Sequence, residues 1–210
     1  DGFDDVFIAS SMNFPFRYGV NSVLLNNQGS EFLSSEFILG VEPRRDGRLA
    51  EPWFELDCDG ADKDHPLAKG RSGRVVIWSA LGTRSSVIFD LDNDGDLDIV
   101  TNEFNSRPMV LISNLSEKHD KLNYLKVKLV GEKSNRDGLG AVVRVRTGSQ
   151  TYMKVHDGQS GYLSQSLYPL YFGLNEVTNV DEIKVTWPSG NKQTVPGPID
   201  VNRTIEVKEQ

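Results

Sequence analysis

The sequence predicts an all-β chain in two units, a repeat region over residues 1–118 and a C-terminal antiparallel β-sandwich over residues 119–210. Three observations carry the prediction. From about Leu122 onward, short runs alternate polar and apolar residues, the period of a strand with one face in water. That half shows no helical period, and short strands in series fold most simply as two packed sheets. Ahead of Leu122, a loop-and-strand pattern occurs twice.

The first copy opens Asp1-Gly2-Phe3-Asp4-Asp5-Val6-Phe7-Ile8 and aligns with Asp94-Gly95-Asp96-Leu97-Asp98-Ile99-Val100-Thr101. Its second strand, Val23-Leu24-Leu25-Asn26-Asn27, aligns with Val110-Leu111-Ile112-Ser113-Asn114. Each copy is loop, strand, variable turn, strand. The first begins inside its own loop, without the leading carboxylates, and reads as an N-terminally truncated piece of a longer repeat chain. Between the copies, residues from about Glu36 to Thr83 form an insertion that strand periodicity does not explain. It includes Glu42-Pro43-Arg44-Arg45-Asp46 and the segment from Asp57 to Pro66, rich in Asp. The second segment admits two readings, a further cation site or a solvated loop, because Asp, Gly and Pro are also what surface turns are made of.

In the second unit the alternating runs are Tyr124–Val130, Ala141–Arg146, Gln150–Val155, Glu182–Trp187, Lys192–Val195 and Thr204–Val207. Pro188-Ser189-Gly190-Asn191 turns the chain between two of them. Trp187-Pro188 and Phe172-Gly173 read as core and turn residues.

The segment with the most chemistry is Asp90-Leu91-Asp92-Asn93-Asp94-Gly95-Asp96-Leu97-Asp98, set between the apolar runs Ser86-Val87-Ile88-Phe89 and Ile99-Val100. Carboxylates recur at every second position. Two such charges about 4 Å apart repel by about 1 kcal/mol even in bulk water. A hard divalent cation removes that repulsion, and Gly95 suits the bend needed to wrap one. Asp90, Asp92, Asp94, Asp96 and Asp98 are therefore candidate metal ligands, and oxygen donors favour calcium. An EF-hand needs a Glu at its twelfth position, where Thr101 stands. A solvated acidic turn without an ion is the bland alternative. Ile88-Phe89-Asp90-Leu91-Asp92-Asn93 also resembles the nucleophile strand of haloacid-dehalogenase-like phosphatases, although that family has Thr or Val at the place of Asp94 and continues as an α/β chain.

The two loop-and-strand copies resemble FG-GAP/VCBS repeats, whose β-propeller blades carry D-x-D-x-D-G-x-x-D calcium loops. The resemblance implies a partial β-propeller, with Asp90, Asp92, Asp94 and Asp98 supplying carboxylates and Asp96 a backbone carbonyl. Asp1 and Asp5 would be the remains of an equivalent site. The C-terminal half resembles the ASPIC/UnbV domain found after such repeats. Ser134-Asn135-Arg136, Gly138-Leu139-Gly140-Ala141, Gly158 through Gln165, Phe172-Gly173-Leu174 and Val185-Thr186-Trp187-Pro188-Ser189-Gly190 carry that likeness, in the family's order. It implies secreted or cell-surface proteins with calcium-binding repeats and no established catalytic role.

Composition narrows the partners. Among 210 residues the net charge is −7, with no dense basic patch, which argues against nucleic acid. No apolar run reaches the length of a membrane span. A single cysteine, Cys58, excludes an internal disulfide and a Cys-rich zinc site. Gly158-Gln159-Ser160-Gly161 is not a nucleophile elbow; His65 and His119 stand in loop-like polar stretches that read as surface, and His156, at a strand end, reads as a hydrogen-bonding or surface histidine rather than a catalytic base. The expectation is a non-enzymatic extracellular calcium-binding scaffold acting as a protein-interaction or adhesion module, its protein or glycan ligand unidentified. Two alternatives stay open: a carbohydrate-binding module using Trp53, Trp78 or Tyr162, and a metal-assisted hydrolase or phosphatase built on the Asp cluster.

Overall fold

Strand register reproduces the internal repeat. The computed structural model describes residues 2–10, 19–41, 47–104, 106–118 and 122–210. Asp1, the segment 42–46 and His119 lie outside these residues. Strands β1 (Val6–Ile8), β2 (Ser22–Asn26) and β3 (Phe32–Ser34) form one antiparallel sheet, followed by the short helix α1 (Glu36–Leu39). Strands β4 (Ala50–Asp57) and β5 (Arg74–Ala80) form a hairpin. Strands β6 (Gly82–Phe89), β7 (Asp98–Phe104) and β8 (Met109–Leu111) form a second three-stranded sheet, which ends in α2 (Leu115–Lys118). In the first sheet Val6, Phe7 and Ile8 face Leu24, Val23 and Ser22. In the other, Ile99, Val100 and Thr101 face Leu111, Val110 and Met109. The sequence alignment makes these the same three pairs. The third strand differs: β3 follows its pair, whereas β6 precedes it. Among the described residues these are separate antiparallel sheets, and no closed barrel or propeller is formed.

A buried polar chain joins the two sheets. Asn21 Nδ2 donates to Thr83 Oγ1, and the hydroxyls of Thr83 and Thr101 both donate to Glu103 Oε1, at 2.6–2.8 Å. Asn21, Thr83 and Thr101 are almost fully buried, so each hydrogen bond spares a group that would be costly to leave unpaired.

The insertion is structured after all, which corrects the sequence reading. Its hairpin carries Pro52 in β4 and shifts register between Pro52 and Phe54. A two-stranded sheet has only edges, where a proline is tolerated, but the break hides the period of two. Leu56, Cys58, Ala68 and Ile77 form a small core of its own. The acids between its strands act as caps: Asp59 Oδ2 accepts from the Gly73 amide and Asp62 Oδ2 from the Asp57 amide. His65 Nδ1 accepts from the Leu67 amide.

The C-terminal unit has seven strands: β9 (Asn123–Val130), β10 (Val142–Thr147), β11 (Gln150–Val155), β12 (Leu170–Asn175), β13 (Asn179–Thr186), β14 (Lys192–Asp200) and β15 (Arg203–Lys208). They make sheets in the orders β11-β10-β13-β14 and β12-β9-β15. Both sheets feed one core, with Leu125, Phe172 and Val207 from one and Val143, Val145, Ile183 and Val185 from the other. Trp187 is buried at the end of β13, its indole N–H donating to Gln193. Phe172 belongs to the core as expected, but Phe172-Gly173 lies inside strand β12 rather than in a turn. The sandwich is also not wholly antiparallel, because β15 pairs with β9 in parallel. After β14 the chain crosses to the other sheet, where Asn202 bonds Asn123 and the amide and carbonyl of Tyr124. This clamp starts β15 beside the start of β9, so the two run the same way. Alternation along a strand reports its wet face, not its direction.

Candidate metal centre

The loop joining β6 to β7 is built from its own side chains. Strand pairing runs as far as Phe89 and Asp98, so the residues between them must turn without ladder partners. Asn93 and Gly95 take positive φ, 65° and 101°. Asp92 Oδ1 accepts from the Asp94 amide and Asp94 Oδ1 from the Asp96 amide. Asp90 Oδ2 accepts from the Gly95 amide across the turn. Asp98 closes the loop: Oδ2 takes the Leu91 amide and Oδ1 the Ser113 amide, both at 2.8 Å. The first repeat keeps that last bond, with Asp5 Oδ1 accepting from the Asn26 amide at 2.7 Å.

Of the five candidate ligands, three converge. Asp90, Asp92 and Asp98 each offer an oxygen within 4.8 Å of the others and can hold a metal ion. Two oxygens each about 2.4 Å from one calcium are at most about 5 Å apart, so the spacing fits. Asp94 and Asp96 turn instead to the start of α2. The Ser116 hydroxyl donates to Asp94 Oδ2, and the Ser116 amide donates to Asp96 Oδ2 at 2.8 Å. Asp90 Oδ1 and Asp96 Oδ1 are buried and have no hydrogen-bond donor among the described residues. A buried carboxylate oxygen without a donor is costly, and a cation is the partner it suits.

The environment is electronegative. Loss of hydration and the charges of Asp94, Asp98 and Asp90 push the exposed Asp92 carboxyl above the ordinary aspartate value, against the lowering pull of the Asp94 amide. The Ser116 hydroxyl, helped by the Asp96 amide, holds the Asp94 carboxyl below it. The acids at Asp57–Asp64, by contrast, form no convergent group of three.

Four residues outside the loop complete its setting, three of them from the sandwich. Lys126 Nζ lies 2.5 Å from Asp90 Oδ2. The Tyr171 hydroxyl donates to the Gly95 carbonyl at 2.8 Å, and burial, then Asp90, raise its pKa, which keeps it a donor. The Tyr124 ring stacks on Tyr171 and packs on Gly95. The fourth is Ser116. Nothing in the sequence marks these: Tyr124 and Lys126 are wet-face positions of an alternating strand, and Ser116 lies outside the Asp-rich motif.

A cleft of about 2180 Å³ separates the repeat sheets from the sandwich, lined in part by Phe3, Phe89, Asp90, Asp96, Tyr168 and Tyr171. Trp53, Trp78 and Tyr162 are exposed but do not line it. Ser160 and Ser164 hydrogen-bond to the Ser86 carbonyl, so they tie their loop to β6. His156 is buried, and that burial lowers its pKa. Among the described residues no helix is long and apolar enough to cross a membrane.

Comparison with known proteins finds two similarities. Residues 131–210 match the family described as ASPIC and UnbV. The chain is also 28% identical, over 86% of its length, to cartilage acidic protein 1 of Xenopus tropicalis. It spans about a quarter of that relative, 26% of its length.

Proposed function

We propose that this chain is a calcium-stabilised β-scaffold that works outside the cell as a protein-interaction or adhesion module, its repeat region built from propeller-type FG-GAP/VCBS blades. One observation carries the calcium reading: Asp90 Oδ1 is buried without a donor in a loop where Asp90, Asp92 and Asp98 converge. Those three residues would hold the ion, which supplies charge neutralisation and a fixed loop shape. Asp94 and Asp96 then anchor the loop to Ser116 rather than act in the triad. The shared register of the two copies, with the same Asp-to-amide bond in each, supports the blade reading. Similarity to a protein named for cartilage supports an extracellular setting. Phe37, Ile38 and Leu39 on α1 are exposed apolar residues that an interaction would bury.

The phosphatase alternative loses its footing in the fold. Asp90 directly follows β6, a strand paired antiparallel with β7 in an all-β chain, not a strand of an α/β sheet. The carbohydrate alternative draws no support from the cleft, whose lining does not include Trp53, Trp78 or Tyr162. The test is calorimetric titration of chelator-treated protein with calcium, with magnesium as control. Saturable calcium binding is expected, with Asp92→Ala weakening it at least about tenfold while the sandwich stays folded, since the Asp92 hydrogen bond to the Asp94 amide lies within the loop. Absence of saturable binding, or a preference for magnesium with turnover of a phosphate ester, would overturn the reading.

A further inference from the structure

We propose that Lys126 is a built-in counter-cation for the metal loop, supplied by the sandwich, and that it competes with calcium for Asp90. The inference rests on the calcium reading above. Among the described residues, Lys126 makes the one salt bridge to the five carboxylates of the loop. The Lys126 side chain is 13% exposed and that of Asp90 1%, so water screens the pair weakly. Asp90 Oδ2 takes both the Lys126 ammonium and the Gly95 amide, while Oδ1 takes no donor. An ion at Oδ1 would put two cations on one carboxylate.

The direction of the effect follows from charge. In the ion-free loop the lysine offsets repulsion among carboxylates. In the loaded loop the ion has already done so, and the lysine repels it. Lys126 therefore stabilises the empty site more than the filled one and lowers calcium affinity. Linkage is reciprocal, so calcium weakens the Lys126–Asp90 bond by the same factor. Because Lys126 stands on β9, ion occupancy reaches the seat of the sandwich. The Tyr171–Gly95 bond, the Ser164–Ser86 bond and the Phe89–Tyr168 stack do not involve a ligand carboxylate. Calcium thus loosens one point of attachment and leaves the rest.

The first repeat supplies a comparison. Gly2 packs on Tyr152 as Gly95 packs on Tyr124, and Lys154, two residues beyond Tyr152, bonds Asp4. A Tyr-x-Lys strand grips each loop. Only Lys126 grips a member of the converging triad.

Calcium titration of the full chain is compared for wild type and Lys126→Gln, which removes the charge but keeps a donor. The variant is expected to bind about tenfold more tightly, about 1.4 kcal/mol, whereas a merely structural lysine would weaken binding when removed. A second readout uses wild type alone: acetylation of Lys126, followed by mass spectrometry, is expected to accelerate when calcium saturates the site. Binding by the variant alone supports competition. Wild-type binding with no gain in the variant, and an unchanged acetylation rate, overturns the competition and leaves the calcium reading standing. Binding by neither protein overturns both.

Discussion

At Gly95 a missing β-carbon decides how the metal loop meets the sandwich. Its φ is 101°, and an added Cβ would lie 2.6 Å from Tyr124 Cε1. Gly2 repeats the arrangement, with φ 95° and Tyr152 Cε1 at 2.4 Å. Gly95→Ala would therefore combine an unfavourable backbone conformation with a collision, and Tyr124 cannot swing away freely because it stacks on Tyr171. A loss of about 1–3 kcal/mol from the backbone alone is expected, with more from the ring. In denaturant unfolding, Gly95→Ala should cost less in a Tyr124→Ala background than in wild type, and the difference measures the collision. Equal costs would mean that the ring yields. The glycine was legible because D-x-D-x-D-G requires a turn, and so were the carboxylates. Tyr124 was not, because no local pattern says which distant strand a loop will touch.

Among the elements, the clearest lock is the end of β15. Glu209 is buried there, and its Oε2 accepts the amides of Glu132, Lys133 and Ser134 at 2.7–2.9 Å. Oε1 accepts the hydroxyls of Ser134 and Ser189. One carboxylate thus joins the β9–β10 loop, the β13–β14 turn and the last strand. Burial alone would raise its pKa, but the Ser189, Ser134 and Glu132 hydrogen bonds outweigh burial and hold it at about 2, against an ordinary 4.5. A carboxylate depressed in the folded state leaves the unfolded chain holding more protons across that window, so stability rises with pH through it. The contribution is fully present above about pH 4.5 and is lost as the pH falls toward 2. His156, lowered by burial, adds a loss that begins as the pH falls below its ordinary 6.5. Melting of the sandwich across this range should show both, and Glu209→Gln should shrink the acidic limb, to which Asp137 and Glu182 also contribute, while lowering stability at neutral pH. An unchanged acidic limb in Glu209→Gln would refute the assignment. Strands with clean alternation were legible nearly to the residue, β11 among them. β4 was hidden by Pro52 and its bulge, and the parallel partner of β15 by a long-range clamp at Asn202.

The whole molecule divides its stabilising forces unevenly. The sandwich owns a core of fourteen buried apolar residues, whereas the insertion hairpin has four. The two repeat sheets rest on the Asn21–Thr83–Glu103 chain, the loop hydrogen bonds and their seat on the sandwich. Burial of apolar surface is the dominant favourable term in folding, so the repeat region should unfold first and the sandwich second. An ion that binds only the folded loop should act on the first step alone. At ten times the dissociation constant, mass action adds about 1.4 kcal/mol, enough to raise the lower transition visibly without merging it with the upper. Trp187→Ala, which opens the sandwich core, should cost about 3–5 kcal/mol in the upper transition and leave the calcium shift of the lower one in place. Scanning calorimetry of both proteins, with calcium and with chelator, reads the lower and the upper transition in each case. A calcium shift of equal size in both steps would mean that the two units unfold as one, and the seat of the sandwich on the loops would then carry far more of the stability than its few hydrogen bonds suggest.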